Sequence, residues 1–194
     1  MYRLTTETIL KAYETGWFPM ADTDEPGEPI HFYTARRRGV IPVDTFRMPK
    51  RARRKIKSKG YTKAVNTCFE DVIRGCARRA NTWISEDIID LFTALHHQGH
   101  AHSVEVFADD KLVAGLYGIA MGGAYFAESV FQDEPEAHKA ALLFCHQHLV
   151  EREFVLWDVQ FFTEHLSQFG CIQIPDHTYE KLLKKALKLN RSFD

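Results

Sequence analysis

The stretch "AHSVEVFADDKLVAGLYGIAMGGAYFAESVFQ", residues 101–132, limits the fold more than any other part of the chain. Two runs of alternating residues flank Asp109-Asp110, and a third follows Gly122-Gly123. A period of two marks strands, and a short turn-forming pair between such runs marks a hairpin. Three meandering strands are therefore expected here, each long enough to cross a domain core. The third carries an anomaly. Glu128 sits in "GGAYFAESVFQ", an otherwise apolar and aromatic run.

Helices are expected on both sides of this meander. Thr5 or Thr6 caps a first helix to about Thr15, with Ile9, Leu10 and Tyr13 as its apolar stripe. "ADTDEPGEPI" reads as a Pro/Gly/acid loop, with short strands near 30–33 and 39–43. "PKRARRKIKSKG" has a helix frame, Pro at its start and Gly at its end. A strand at 61–65 and a helix at 67–79 follow. "SEDIIDLFTALHHQG" starts at Ser85 with acids in its first turn, and Ile88, Leu91, Phe92 and Leu95 make its buried face. After the meander come a helix at 136–150, a strand at 155–161, a short helix at 163–168, the strand "CIQI" and a helix at 179–189.

From residue 85 the order is helix, three strands, helix, strand, helix, strand. That predicts an α+β fold in which antiparallel strands meet later crossover strands. It matches the plan of an acetyltransferase-like (GNAT-like) mixed sheet flanked by helices. Residues 1–65 are expected to form a small basic N-terminal subdomain, and 66–194 the catalytic domain.

Charge supports that division. Residues 36–63 hold twelve Lys/Arg and one acid, Asp44. The segment is +11, so the rest of a chain of net charge −1 is −12. So dense a run repels itself and points to an anionic partner, most plausibly nucleic acid. Hydrophobic residues make up 45 %, enough for a full core. No apolar run approaches a membrane span, and "MYRLTTETILKAYETGWF" has no signal-peptide core. Cys68, Cys76, Cys145 and Cys171 show no paired spacing and read as reduced, buried thiols. Together these predict a cytoplasmic protein with no membrane partner.

Few residues carry recognisable chemistry. Asp158 and Gln160 in "VLWDVQFF" are two apart, so in a strand they share one face, with Trp157, Val159 and Phe161 on the other. A buried hydrogen-bonded pair or a solvent-facing edge accounts for that pattern as well as a reactive site does. Glu105 in "HSVEVF" reads as an exposed strand face. Histidines cluster in "HHQGHAH", and His100 and His102 are suitably spaced for a metal, yet no carboxylate or cysteine stands at a familiar ligand spacing. No metal site is expected. There is no GxSxG nucleophile elbow. Where acyl-CoA enzymes of this plan place a glycine-rich turn, the chain reads "FQDEPEAHKA", without glycine and with three acids. No cofactor is expected, and a basic subdomain then suggests another acyl donor, an activated ester on an anionic handle such as aminoacyl-tRNA.

"GHAHSVEVF", "LVAGLYGIAMGGAYFAESVF", "WDVQFFTEHLSQFG" and "NTWI" together resemble the leucyl/phenylalanyl-tRNA–protein transferase family, from about Leu10 to Leu183. The resemblance implies transfer of Leu or Phe, with Met the further donor considered, from aminoacyl-tRNA to the N-terminal Arg or Lys of a protein, marking it for degradation. It implies a catalytic pair, Asp158 and Gln160, with Glu128 holding the donor's α-amino group. Trp83 would pack against the terminal adenosine, and Leu116, Val130, Cys145, Leu149 and Trp157 would line the side-chain pocket. Tyr33 could stack on a base, and Lys50, Arg51, Arg53 and Arg54 would hold tRNA phosphates. The chain departs from the family pattern at "FYTARRR", where the family has W-W-S-P-D-P-R, and in the pocket, where Trp157 and Cys145 replace more usual Ile and Phe. Two other readings remain beside this one: an N-acyltransferase using CoA or tRNA on a small molecule, and a non-enzymatic tRNA-binding module.

Overall fold

In the computed structural model, residues 4–20, 30–79 and 82–194 are described. Nearly all of the loop read into "ADTDEPGEPI" lies outside them. The first third holds α1 (Thr6–Glu14), β1 (Phe18–Met20), β2 (His31–Tyr33), β3 (Arg37–Val40), α2 (Lys50–Lys59) and β4 (Thr62–Val65). Then come α3 (Phe69–Ala77), α4 (Glu86–His97), β5 (Ala101–Ala108), β6 (Lys111–Met121) and β7 (Ala124–Gln132). The chain closes with α5 (Ala137–Glu151), β8 (Leu156–Asp158), α6 (Glu164–Ser167), β9 (Ile172–Pro175) and α7 (Asp176–Ala186).

Local chemistry explains most boundaries. Thr5 Oγ1 accepts from the Thr8 amide at 3.2 Å and Ser85 Oγ from the Ile88 amide at 3.4 Å, capping α1 and α4. Gly60 ends α2 in the left-handed region at φ 66°, where a side chain would be strained. Asp109 and Asp110, at φ 46° and 62°, make the two-residue turn between β5 and β6.

The described residues form a two-stranded ribbon, β1 with β2, and a seven-stranded sheet in the order β4-β5-β6-β7-β8-β3-β9. Every pairing in the large sheet is antiparallel except β7 with β8. The result is a mixed α+β sheet with helices on both faces. β3 and β4, from before residue 66, are strands of this same sheet.

One face carries a cluster with Ile9, Tyr13, Phe92, Leu95 and Phe126, under α1, α3, α4 and α7. The other carries Leu116, Cys145, Leu149, Trp157 and Phe193, under α2 and α5. Phe193 stacks on His102 and Tyr125 at 4.6 and 4.9 Å and so plugs the C-terminal tail into the core. Burying such a ring contributes about 1.5–3 kcal/mol. No helix among the described residues is long and apolar enough to cross a membrane.

Several expectations are corrected. The strand expected at 155–161 stops at Asp158, and β3 spans 37–40 rather than 39–43. In α4, Ile89 is buried and Leu91 only half so. Glu105 is not on an exposed face but fully buried, accepting from Ser103 Oγ at 2.5 Å. Burial raises its pKa, and the backbone near the start of α3 partly offsets the rise.

Candidate active site

The site is built where β7 and β8 part. The two strands run parallel through Phe126 and Asp158 and then separate. β7 continues to Gln132, while the chain after Asp158 turns away through Gln160, whose φ is 54°. A non-glycine residue there costs roughly 1 kcal/mol or more and needs outside support. Support comes from β3: the Gly39 amide donates to the Gln160 carbonyl at 2.9 Å, and the Val159 amide to the Gly39 carbonyl at 3.0 Å. Position 39 must be glycine for this contact, since a Cβ would meet the Phe161 carbonyl carbon at 2.5 Å. Asp158 and Gln160 therefore meet through a turn, not through strand alternation.

Glu128 reaches the same place by another irregularity. In β7, Ser129 pairs with Tyr117 and Ala127 with Gly118, leaving Glu128 as the extra residue of a bulge. A bulge breaks alternation and re-aims a side chain. That explains how a carboxylate sits in an apolar strand without entering the core.

The structure brings all three together. Gln160 Nε2 donates to Glu128 Oε1 at 2.8 Å, and the Gln160 amide donates to Asp158 Oδ1 at 2.8 Å. Gln160 is 8 % exposed, and its Oε1 makes no hydrogen bond among the described residues. Asp158 is fully buried and its carboxylate is saturated. Arg38 Nε and Nη2 donate to it at 2.8–3.0 Å, and the Tyr179 hydroxyl donates at 2.6 Å.

Arg38 is the residue sequence reading missed. It was counted only as one cation of a basic run, yet it is 0 % exposed. Its Nη1 donates to the Gly16 carbonyl at 2.9 Å, and its guanidinium lies between the rings of Phe18 and Tyr179, 4.7 and 4.6 Å from their centroids. Burial opposes its charge, but the Asp158 carboxylate more than offsets this and its pKa lies above the usual value. Tyr179 was missed too, read only as the start of a helix; burial and then Asp158 raise its pKa. The one available signal was an arginine opening the apolar strand "RGVI".

Burial pushes the Glu128 carboxyl up to about 8; the Tyr13 hydroxyl opposes this, the Asp158 charge adds to it and Arg38 opposes it. The Tyr13 hydroxyl faces Glu128 but, like that of Tyr117, has no partner within hydrogen-bond distance among the described residues; burial raises both pKa values and the Glu128 charge adds to the rise. The site thus holds a buried, hydrogen-bonded Arg38–Asp158 pair behind a carboxyl raised toward neutrality.

The remaining expected residues fall in three places. Leu116, Cys145, Leu149 and Trp157 are buried in one apolar cluster, with half-buried Val130 packed against it. Trp157 is fully buried there, and among the described residues its Nε1 has no hydrogen-bond partner. Val130 lines a groove of about 440 Å³ at the end of β7, whereas Trp157 borders an apolar groove of about 560 Å³ with Val155, Ile172 and Leu182. Trp83 and Tyr33 are half-buried against the other cluster, that of Tyr13. Lys50, Arg51, Arg53 and Arg54 are exposed on α2.

The acids before α5 correct a further expectation. The three acids are not free negative charges there: Glu136 pairs with Lys55 and Lys139, Glu134 with Lys59, and Asp133 with Arg78. Lys55 and Lys139 draw the Glu136 carboxyl down to about 2. Amides at the start of α5 are already engaged: Ala137 donates to the Glu134 carbonyl, His138 to Gln132 Oε1 and Lys139 to the Glu136 carbonyl. Among the described residues these three amides are therefore not free to form an anion nest.

Comparison with known proteins identifies the family. The family profile described as leucyl/phenylalanyl-tRNA protein transferase matches residues 40–184, and that of its N-terminal domain residues 2–36. The transferase of that name from Nitrobacter winogradskyi is 43 % identical over 195 residues, covering 98 % of this chain and 86 % of its own. The one from Rubrobacter xylanophilus is 41 % identical, covering 98 % and 99 %. Among solved structures, L-PGS from Bacillus licheniformis superposes with a TM-score of 0.51 at 11 % identity, over 97 % of this chain and 72 % of that one. FemX gives 0.50 at 9 % identity, over 92 % and 65 %. These two likenesses concern the fold. On profile matches spanning most of its length and identities above 40 %, the chain belongs to the leucyl/phenylalanyl-tRNA–protein transferase family.

Proposed function

We propose that this protein moves Leu or Phe, or a Met-like residue, from aminoacyl-tRNA to the N-terminal Arg or Lys of a protein, in the N-degron route of protein degradation. The observation that carries the reading is the Glu128–Gln160–Asp158 chain at the parting of β7 and β8, in a member of this family. The fold is read more finely as GNAT-like, because antiparallel meander strands meet one parallel crossover strand in a helix-flanked mixed sheet. The split near residue 65 is read as a division of labour, a cationic lobe and a catalytic lobe sharing one sheet.

The reaction is aminolysis of an ester. The acceptor's α-amine, pKa about 8, attacks as the neutral form. A C–N bond forms, the ester C–O bond breaks, and the amine's proton ends on the leaving tRNA hydroxyl. Gln160 does not titrate; its free Oε1 accepts an N–H of the amine and sets near-attack geometry. Asp158, with no exposed lone pair, is a positioning residue that fixes the Gln160 backbone. Glu128 holds the donor's α-amino group, and its pKa near 8 suits it to pass a proton at working pH. Leu116, Val130, Cys145, Leu149 and Trp157 receive the donor side chain, with Trp157 setting how much room is left. Trp83 and Tyr33 face the terminal bases.

The tRNA body docks on α2. Ala52 and Ile56 bury one side of this helix, with Lys55 and Lys59 tied to acids beside them. Lys50, Arg53, Arg54 and Lys57 recur at helical spacing on the far side, and among the described residues none of them, nor Arg51, is in an ion pair. Replacing Lys50, Arg51, Arg53 and Arg54 by Ala is expected to lower the slope of log K against log salt by about 3. An unchanged slope places docking elsewhere.

The test of function is mass spectrometry of an Arg-starting peptide incubated with mixed aminoacyl-tRNAs. One added Leu, Phe or Met is expected; no addition from any charged tRNA refutes the reading.

A further inference from the structure

Of the residues lining the groove of about 440 Å³ beyond Glu128, only Val130 has a role in the chemistry above. The groove is lined by Gly75, Arg78 and Arg79 of the α3 end, Val130, Phe131, Gln132 and Asp133, and His138 and His165. It continues the gap between β7 and the chain after β8: Val130 lies two residues beyond Glu128, and His165 five beyond Gln160. Gly75 lets α3 sit low on β7, since a Cβ there would meet the Phe131 ring at 2.8 Å. The two arginines are thereby held over the strand's end.

Each arginine is oriented but not used up. Arg79 Nη2 donates to the Val130 carbonyl, and Arg78 Nη2 to Asp133 at 2.7 Å while its guanidinium lies over Phe131. A guanidinium has five N–H donors, so among the described residues both keep unengaged ones. His138 Nδ1 donates to Gln132 Oε1 at 2.5 Å, and the His138 and His165 Nε2 atoms are 3.0 Å apart. Gln132 thus has its oxygen occupied and its NH₂ group left to donate. The two imidazoles, 4.9 Å apart, wall one side, and the Phe131 ring supplies an apolar side.

We propose that this groove binds the terminal phosphodiester of the donor's acceptor end: Arg78, Arg79 and the Gln132 amide hold its non-bridging oxygens, and the apolar wall takes the adjoining nucleoside. Paired guanidinium donors suit phosphate geometry, and a mixed polar and apolar groove of this size suits a nucleotide rather than a bare ion. Its place decides the source. An ester seated at Glu128 and Gln160 drags its nucleic-acid handle out through this mouth. The inference rests on the aminoacyl-tRNA reading.

The experiment compares two donors, charged tRNA and a phosphate-free 3′-aminoacyl-adenosine, in the wild type, in Arg78→Gln/Arg79→Gln, and in Gln132→Leu, which leaves the Arg79 contact to β7 in place. With charged tRNA the double variant is expected to raise KM about tenfold to a hundredfold, with kcat within twofold, and Gln132→Leu to raise it about threefold to tenfold. With the phosphate-free donor neither variant changes KM more than twofold. Equal losses with both donors, or none with charged tRNA, overturn the groove's role while leaving the transferase reading intact. A wild type that transfers from neither donor overturns both.

Discussion

Arg38→Met is expected to lower the thermal midpoint by roughly 6–20 °C. Removing one partner of a buried ion pair leaves an uncompensated charge, a loss of about 3–5 kcal/mol, and a chain of this size loses about 2–4 °C per kcal/mol. Asp158, at 0 % exposure, would keep only the Tyr179 hydroxyl and the Gln160 amide. Asp158→Leu is expected to cost a similar amount, because it isolates the Arg38 guanidinium. Pairing the two changes removes both charges, so the double variant should melt closer to the wild type than either single one. Transfer stays lost in the double variant, because the Gln160 turn has lost its anchor. Scanning calorimetry of the four proteins gives the cycle. Singles melting within 2 °C of the wild type would mean that water reaches the pair and that Asp158 is no fixed support. A plain Asp158→Ala change confounds folding with chemistry.

Gln160→Asn and Glu128→Gln separate these effects. Asparagine tolerates the left-handed backbone at position 160 but is too short to reach Glu128. Transfer should fall about a hundredfold, the scale of losing one positioned hydrogen-bond group in a reaction site, with the melting point nearly unchanged. Wild-type rates from Gln160→Asn would remove Gln160 from the mechanism. For Glu128 the signature is in pH. Its carboxyl is raised from the ordinary 4.5 to about 8, so between those values the folded state binds a proton that the unfolded state has lost. Wild-type stability from this group therefore falls as pH rises from about 4.5 to 8, and the deficit is complete above 8. Glu128→Gln stays neutral throughout. It should gain stability over the wild type progressively across that window, as melting curves at pH 5 and pH 8.5 would reveal. Parallel curves would place Glu128 in open water.

Local order was readable residue by residue. The alternation of 101–132, the Asp109-Asp110 turn, the Ser85 cap and the Pro49–Gly60 helix frame are encoded within a few neighbours, because periodicity, capping and φ preference act at short range. The ordered motifs also sufficed to suggest the family and to mark Glu128, Asp158 and Gln160. Burial and partnership were not readable. Whether Arg38 is a surface cation or the buried counter-ion of Asp158, 120 residues away, depends on β3 lying between β8 and β9, which no local pattern states. The same holds for Glu105, buried where β4 and β6 flank it, and for Glu134 and Glu136 before α5, paired with Lys59 and Lys55 of α2. A side chain's charge is written in its own residue type. The dielectric around it and the partner it finds are set by whichever strand or helix the fold brings alongside.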